Sequence, residues 1–412
     1  MKRKISYFFI LFVIIFNSHS LGFISSFPIW EDNNFIQVNS NDNNFLKLES
    51  DSAILIEQTT GQILFEKNPH EKLRPASVTK IMSLLLIMEA IENGQISLDT
   101  PIPCSTNASS MGGSQIWLDP NESLTVEEML KAICVVSAND CTVAMAEYLA
   151  GSEELFVNNM NNKAQELGMK NTCFKNCHGI DEDGHFTTSY DIALMSRELL
   201  VKYPQITNYT TIWMDSLREG KSELVNTNRL IRTYDGATGL KTGSTSLALY
   251  NLSASATRND LSLIAVVLRA PTPQIRFSEA KLLLDYGFNT YYYKELALKN
   301  SFSQKLPINK GTEKYVNLIF EKDIGAVLKK STTSNIEEKV ILNENLNAPI
   351  KSGDILGSVE YYLDSDGYVK KKDVLQLKDD LDKIDDIETR DYMEYLIKNI
   401  ENKDLNQGRG RS

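Results

Sequence analysis

Histidine is scarce in this chain, with four residues in 412. His19 falls in the leader and His70 near the first predicted hairpin, so little remains for a Ser-His-Asp hydrolase. No Gly-x-Ser-x-Gly elbow is present to carry such a nucleophile. The chain has no His-Glu-x-x-His and no paired Cys-x-x-Cys, which argues against zinc. It has no Walker or Gly-x-Gly-x-x-Gly loop, which argues against a nucleotide, and no cofactor is expected. Cysteines number five, so they cannot all pair with one another. Cys134 and Cys141 sit in apolar helical stretches and read as packed thiols, whereas Cys173 and Cys177 are close enough in sequence to meet. Basic residues are in deficit, 43 Lys and Arg against 54 Asp and Glu, for a net charge of −11. That balance argues against nucleic acid or an anionic membrane as the partner of the folded body.

What is present starts with Lys2, Arg3 and Lys4, an apolar run from Ile5 to Phe16, and small residues ending at Ser20. This is the pattern of a secretory signal over residues 1–20, with an uncleaved anchor as the alternative; either exports the body. Residues 21–50 are rich in Asn, Asp and Ser and read as a linker. "SAILIEQTTGQILFEKN" then predicts a hairpin turning at Thr60-Gly61. In "SVTKIMSLLLIMEAIENG", Ile81, Leu84, Leu85, Met88 and Ile91 recur at helical spacing up to Gly94. That helix is apolar on most sides, as a central buried helix must be. Thr125 and Glu128 form a capping-box pair before "MLKAICVV".

From Gly236 the pattern changes to strands, "GLKTG", "YNLSASA" and "LSLIAVVLRA", with a turn at Asn259-Asp260 and a closing helix in "RFSEAKLLLDYGF". The late strands and the N-terminal hairpin are expected to share one antiparallel sheet. The expectation is a mixed α/β (α+β) domain over residues 51–290 and a small all-β domain over 291–375. An acidic helical tail is expected over 376–412. From Leu377 to Leu405 that tail has ten acidic and five basic residues beside an apolar stripe of Tyr392, Met393, Leu396, Ile397 and Ile400. It offers anionic lipid little attraction, so association with a membrane surface is weakly supported.

Three short motifs could carry chemistry. Ser77 and Lys80 lie one turn apart on a shared face, where a lysine stripped of its charge can take the proton of a serine hydroxyl. A capping Ser with an exposed Lys explains the same residues. Ser137-Ala138-Asn139 interrupts two helices and can relay a proton and bind a substrate amide; a plain cap by Ser137 or Asp140 explains it too. Lys241-Thr242-Gly243 suits an edge strand on which an extended peptide lies, with Lys241 and Thr242 facing a carboxylate. A gatekeeping lysine on an exposed edge is the alternative.

The three in this order are a known signature of penicillin-binding proteins and class A β-lactamases. With "LRPASVTKIMSLLLIMEAI", "SSMGGSQIWL", "SANDCTVAMAEYLAGS", "LGMKNTCFKN", "VNTNRLI", "GLKTGSTS" and "NAPIKSGDILG", the chain resembles the peptidase S11 D-alanyl-D-alanine carboxypeptidases. These are low-molecular-weight penicillin-binding proteins, and the likeness is to their sporulation-associated branch. The resemblance implies a penicillin-recognising serine transferase, β-lactamase-like fold. It implies that Ser77 attacks the bond between two D-alanines of a peptidoglycan stem peptide, with Lys80 as base. Ser137 would relay a proton, and Asn139 would hold the substrate backbone. Lys241 and Thr242 would bind the carboxylate beside Gly243, and the Ser77 and Ser244 amides would form the oxyanion hole. Arg276 would face the same carboxylate, and β-lactam antibiotics would act as inhibitors. Cys177 departs from the family's usual Pro or small residue, His178 and His185 are expected to be structural loop residues, and Asp191 is expected in a structural bond. A β-lactamase would need a deacylating Glu-x-x-Leu-Asn, which is absent from Gly151 to Gly239. A non-catalytic sensor would be expected to have lost a motif, and none is lost.

Overall fold

The computed structural model describes residues 46–377 except 312, 332–334, 344–346 and 365–370. The expected signal, most of the linker and the acidic tail beyond Leu377 lie outside the described residues, while Gln376 and Leu377, expected to open the helical tail, belong to the strand Lys371–Leu377. The end of the segment read as linker belongs to the body. Leu48 is in a core cluster, and the Glu279 carboxylate accepts from Ser50 N and Oγ and from Glu49 N.

Five antiparallel strands build the main sheet: β1 (Ser52–Glu57), β2 (Ile63–Lys67), β3 (Ala237–Thr245), β4 (Leu249–Arg258) and β5 (Leu261–Ala270). Their order is β2-β1-β5-β4-β3, so the N-terminal hairpin and the late strands do share one sheet. Alternate residues serve opposite faces. Ile54, Ile56, Ile264, Val266 and Leu268 enter one core, and Ala53, Leu55, Leu263, Ala265 and Val267 enter another. Both faces are covered, which explains why "LSLIAVVLRA" reads as a continuous apolar run.

The first core is helical. Helix α1 (Lys80–Glu92) is buried at nine of its thirteen positions, and Gly94 ends it with φ +70°. Around it lie α2 (Val126–Val135), α3 (Asn139–Ala150), α4 (Glu153–Glu166) and α5 (Ser189–Lys202). The capping box on α2 forms as expected, with Thr125 N donating to Glu128 Oε2 and Glu128 N to Thr125 Oγ1. Asp191 is also structural, accepting from Asn171 N and Thr172 Oγ1. The second core lies under α6 (Pro273–Thr290), through Leu283, Leu284 and Phe288.

Beyond Thr290 the described elements are all strands. Five form an antiparallel sheet in the order Phe302–Pro307, Tyr315–Phe320, Lys371–Leu377, Ile355–Asp364, Asn335–Leu342. Strand Ile324–Lys329 pairs with Tyr291–Ala297 and divides its side chains, Ile324 to this domain's core and Val327 to the core under α6.

The sheet reaches the Ser77 turn through Asn251. Its Nδ2 donates to the carbonyls of Arg74 (2.8 Å) and Pro75 (3.0 Å), and its Oδ1 accepts from Arg269 N (2.7 Å). Two stability predictions follow from this packing. Leu84→Ala in the wholly buried part of α1 should cost about 2–5 kcal/mol by denaturant unfolding. Asn251→Ala strands buried carbonyls and an amide and should cost about 1–3 kcal/mol in the same assay; a smaller loss would mean that Asn251 does not hold the turn.

Candidate active site

Ser77 sits in a single 3-10 turn, Ala76–Thr79, just before α1. Neither this turn nor α1 has a side-chain cap, so the capping explanation for Ser77 fails. Ala76 is held at φ +49°, a conformation that costs a non-glycine residue energy and is found where neighbours enforce it. Those neighbours are close. A Cβ on Gly179 would lie 2.0 Å from Ala76 O, and one on Gly243 would lie 2.9 Å from Pro75 O, Ser77 N and Val78 N. Only glycine fits at either place.

Lys80 is fully buried. Its Nζ lies 3.2 Å from Ser77 Oγ and donates to Asn139 Oδ1 (2.6 Å) and to the carbonyl of His178 (2.6 Å). Burial, and then the neighbouring Lys241 charge, hold its pKa well below the usual lysine range, while Cys177 and Asp140 oppose the shift. Such a shift beside a hydroxyl marks a functional site.

The interruption before α3 is built and is not a plain cap. The cap position is Ala138, with no side-chain bond, so neither Ser137 nor Asp140 caps the helix. Ser137 is held at φ +66°, and its buried Oγ has no hydrogen-bond partner among the described residues. A buried hydroxyl left over in a strained turn is the mark of a group kept for another use. Asn139 also donates Nδ2 to Gly112 O and its backbone N to Ser114 O, both at 2.7 Å. Asp140 instead accepts from Ile116 N and Leu118 N, each at 3.1 Å.

Strand β3 is the edge strand expected for Lys241-Thr242-Gly243. Lys241 is buried, and its Nζ donates to Thr242 O at 3.0 Å. Burial, with help from Arg276, pulls its pKa down to about 7, and Cys134 opposes. Thr242 Oγ1 donates to Thr227 Oγ1 at 2.8 Å, and Ser244 is exposed at the end of the strand. Arg276 does not reach out freely: its Nη1 donates to the carbonyls of Gly243 and Asn251, both at 3.3 Å, and its guanidinium stacks on Phe277. Burial lowers its pKa to about 10, so it stays charged and braces the strand.

The hydrogen bonds and close approaches thus join Ser77, Lys80, Asn139, Gly243 and Arg276. Ser137 flanks Asn139, and Lys241 is coupled to Lys80 through its charge. Sequence reasoning missed Asp140 as the clamp of the 112–118 segment, Asn251 as the tie to the turn, and the His178 carbonyl as an acceptor for Lys80. Asp140 had a signal, since a carboxylate in a first helical turn must bond something; a strand asparagine and a main-chain carbonyl had none. The His178 ring is not catalytic in character. Burial and the charge of Lys80 push its pKa down to about 3, and Nδ1 accepts from Ile180 N. His185 is similarly driven down to about 4 by burial and bonds Thr79 Oγ1 through Nε2. All five cysteines are free thiols, so Cys173 and Cys177 do not pair. Among the described residues no group of three or more His, Cys, Asp or Glu could hold a metal ion.

Comparison with known proteins fits this geometry. Residues 37–272 match the model of the D-alanyl-D-alanine carboxypeptidase family, peptidase S11, and residues 291–381 match the penicillin-binding protein 5 C-terminal domain. The D-alanyl-D-alanine carboxypeptidase DacF of Bacillus subtilis is 45% identical over 81% of this chain and 86% of its own. Penicillin binding protein 5 from Haemophilus influenzae superposes with a TM-score of 0.72 at 29% identity, over 82% of this chain and 99% of that one. Penicillin-Binding Protein D2 from Listeria monocytogenes, in its ampicillin-bound form, does so with a TM-score of 0.54 at 29% identity, over 59% and 99%. With the three motifs gathered at two buried helix starts and one sheet edge, the chain belongs to the D-alanyl-D-alanine carboxypeptidase family of penicillin-binding proteins, peptidase S11.

Proposed function

We propose that this chain is a serine-type carboxypeptidase that removes the terminal D-alanine of peptidoglycan stem peptides through an acyl-enzyme on Ser77. The observation that carries the reading is the lysine. A neutral amine has two N–H groups and one lone pair. Both N–H groups of Lys80 have acceptors, Asn139 Oδ1 and His178 O, which leaves the lone pair for Ser77 Oγ. Burial and Lys241 favour that neutral form.

Lys80 takes the Ser77 proton as Oγ attacks the carbonyl carbon of the penultimate D-alanine. The oxyanion is received by the Ser77 and Ser244 amides. The C–N bond breaks as the proton held by Lys80 is relayed through the Ser137 hydroxyl to the leaving amine, which restores both groups, and D-alanine departs. Water then attacks the ester and restores Ser77. The peptide lies along β3 with its terminal carboxylate on Lys241 and Thr242 and its backbone on Asn139, while Arg276 adds positive field behind Gly243. β-Lactams would acylate Ser77 by the same attack, in keeping with the ampicillin-bound Listeria relative. The reaction belongs outside the cytoplasm, with residues 1–20 as the export signal. Residues 51–290 form the catalytic domain, 291–375 a β domain and 376–412 an acidic tail.

D-alanine release from a peptide ending in Lys-D-Ala-D-Ala should be lost in Ser77→Ala and fall by at least about a hundredfold in Lys80→Ala. No release by folded wild-type protein that penicillin still acylates would turn the reading to a sensor; rapid turnover of penicillin would turn it to a β-lactamase.

The pH profile carries a second prediction. Lys80 acts when deprotonated, so kcat/KM rises with pH through its depressed pKa. Lys241 binds a carboxylate when protonated, so kcat/KM falls as pH rises through about 7. The free enzyme should show a bell whose falling limb lies near neutrality. A plateau up to pH 10 would remove Lys241 from carboxylate binding.

A further inference from the structure

Between the buried Ile116 and Leu118, Trp117 is 75% exposed. In the irregular stretch 115–119 the side chain of residue 117 faces water, and a polar residue would serve there. The chain instead places its largest apolar side chain there, at φ +54°, outside the range an ordinary residue favours. The segment is clamped from both sides. The buried Asp140 carboxylate accepts from Ile116 N and Leu118 N. Arg218 donates Nη1 to Ile116 O (2.8 Å) and Nη2 to Trp117 O (3.3 Å), and its guanidinium is gripped by Glu122 at 2.6 and 2.8 Å. The same segment carries Gly112 O and Ser114 O, which hold Asn139. The backbone that carries this exposed indole is thus clamped, and the same segment holds the residue that bonds Lys80.

We propose that Trp117 is a platform on the rim of the catalytic groove that stacks on an N-acetylated sugar ring of the glycan strand from which the stem peptide hangs. The proposal rests on the carboxypeptidase reading. The stem's backbone needs are met by β3 and Asn139, and an aromatic face adds nothing to them. An indole presents a flat apolar π surface suited to the C–H face of a neutral pyranose, and the clamped backbone beneath it lowers the ordering cost of binding. Asp119 two residues on is exposed, and Arg218 and Glu122 neutralise each other, so the carboxylates of the stem itself are poorly received there.

The test compares D-alanine release from a disaccharide-pentapeptide and from the same pentapeptide without sugar, for wild type, Trp117→Ala and Trp117→Phe. The ratio of kcat/KM for the two substrates should fall about tenfold in Trp117→Ala, through KM, and recover in Trp117→Phe. An unchanged ratio overturns the proposal, whether both substrates suffer equally (a scaffold role) or neither does. A second arm needs no catalysis. In Ser77→Ala, the disaccharide without peptide should quench tryptophan fluorescence, and the quench should vanish when Trp117→Phe is added. No quench, or one that survives Trp117→Phe, sinks the sugar site. Wild type inert on both peptides would refute the carboxypeptidase reading, and the fluorescence arm would still decide the platform.

Discussion

The site depends on one unfavourable act, the complete burial of Lys80 among neutral hydrogen-bond partners, with only a minor opposing pull from the Asp140 carboxylate. A lysine removed from water loses the solvation that stabilises its ammonium, and a second buried lysine nearby adds repulsion. The relief is deprotonation, which is what a base for Ser77 requires. The apolar surroundings of α1 are therefore part of the chemistry. Ile81, Met82, Leu84 and Leu85 form the core and also remove the water that would keep Lys80 charged.

Such a group needs a stiff frame, because an error of an ångström would turn the lone pair away from the hydroxyl. The frame is made by close approaches that only particular residues permit. Gly243 lets the edge strand touch the Ser77 turn, and its cross-strand partner Asn251 bonds two carbonyls of the same turn. Gly179 lets the loop after α4 press on Ala76, and its own amide bonds Asn176 Oδ1 at 2.7 Å. That peptide unit presents the His178 carbonyl to Lys80, so the acceptor is itself held from behind. The cleft of about 520 Å³ lined by Glu153, Phe174, Asn176, His178 and Glu182 reaches this segment but is lined by neither Ser77 nor Lys80.

Much of this was legible in the chain before its coordinates. Periodicity is a property of neighbours in sequence, so α1, the capping box at Thr125 and the β3–β5 strands could be read directly. The motif residues Ser77, Lys80, Ser137, Asn139 and Lys241 could be named because their order is distinctive, although each alone had a bland explanation. What stayed hidden is what depends on contacts between distant segments. No local pattern marks the Glu279 carboxylate as the anchor of Glu49 and Ser50, and none marks Asn251 as a tie across 176 residues to Pro75. Arg276 shows the same limit. The resemblance implied that it faces a carboxylate, and no local pattern showed that its Nη1 also donates to the carbonyls of Gly243 and Asn251.

The same burial acts with opposite signs on the groups around Ser77, and that consistency makes the pocket coherent. It lowers bases, Lys80, Lys241 and His178, and raises acids, Cys134, Cys141 and Cys177. Each group moves toward its neutral form. A thiol driven up in this way is a poor nucleophile, so Cys177, although near Lys80, is no rival to the proposed nucleophile Ser77. A histidine driven down to about 3, with Nδ1 already accepting from Ile180 N, is a poor rival base and meets Lys80 through its carbonyl. In the proposed mechanism burial therefore does two things at once: it favours the neutral lysine that a base must be and disarms the side chains best able to interfere with it.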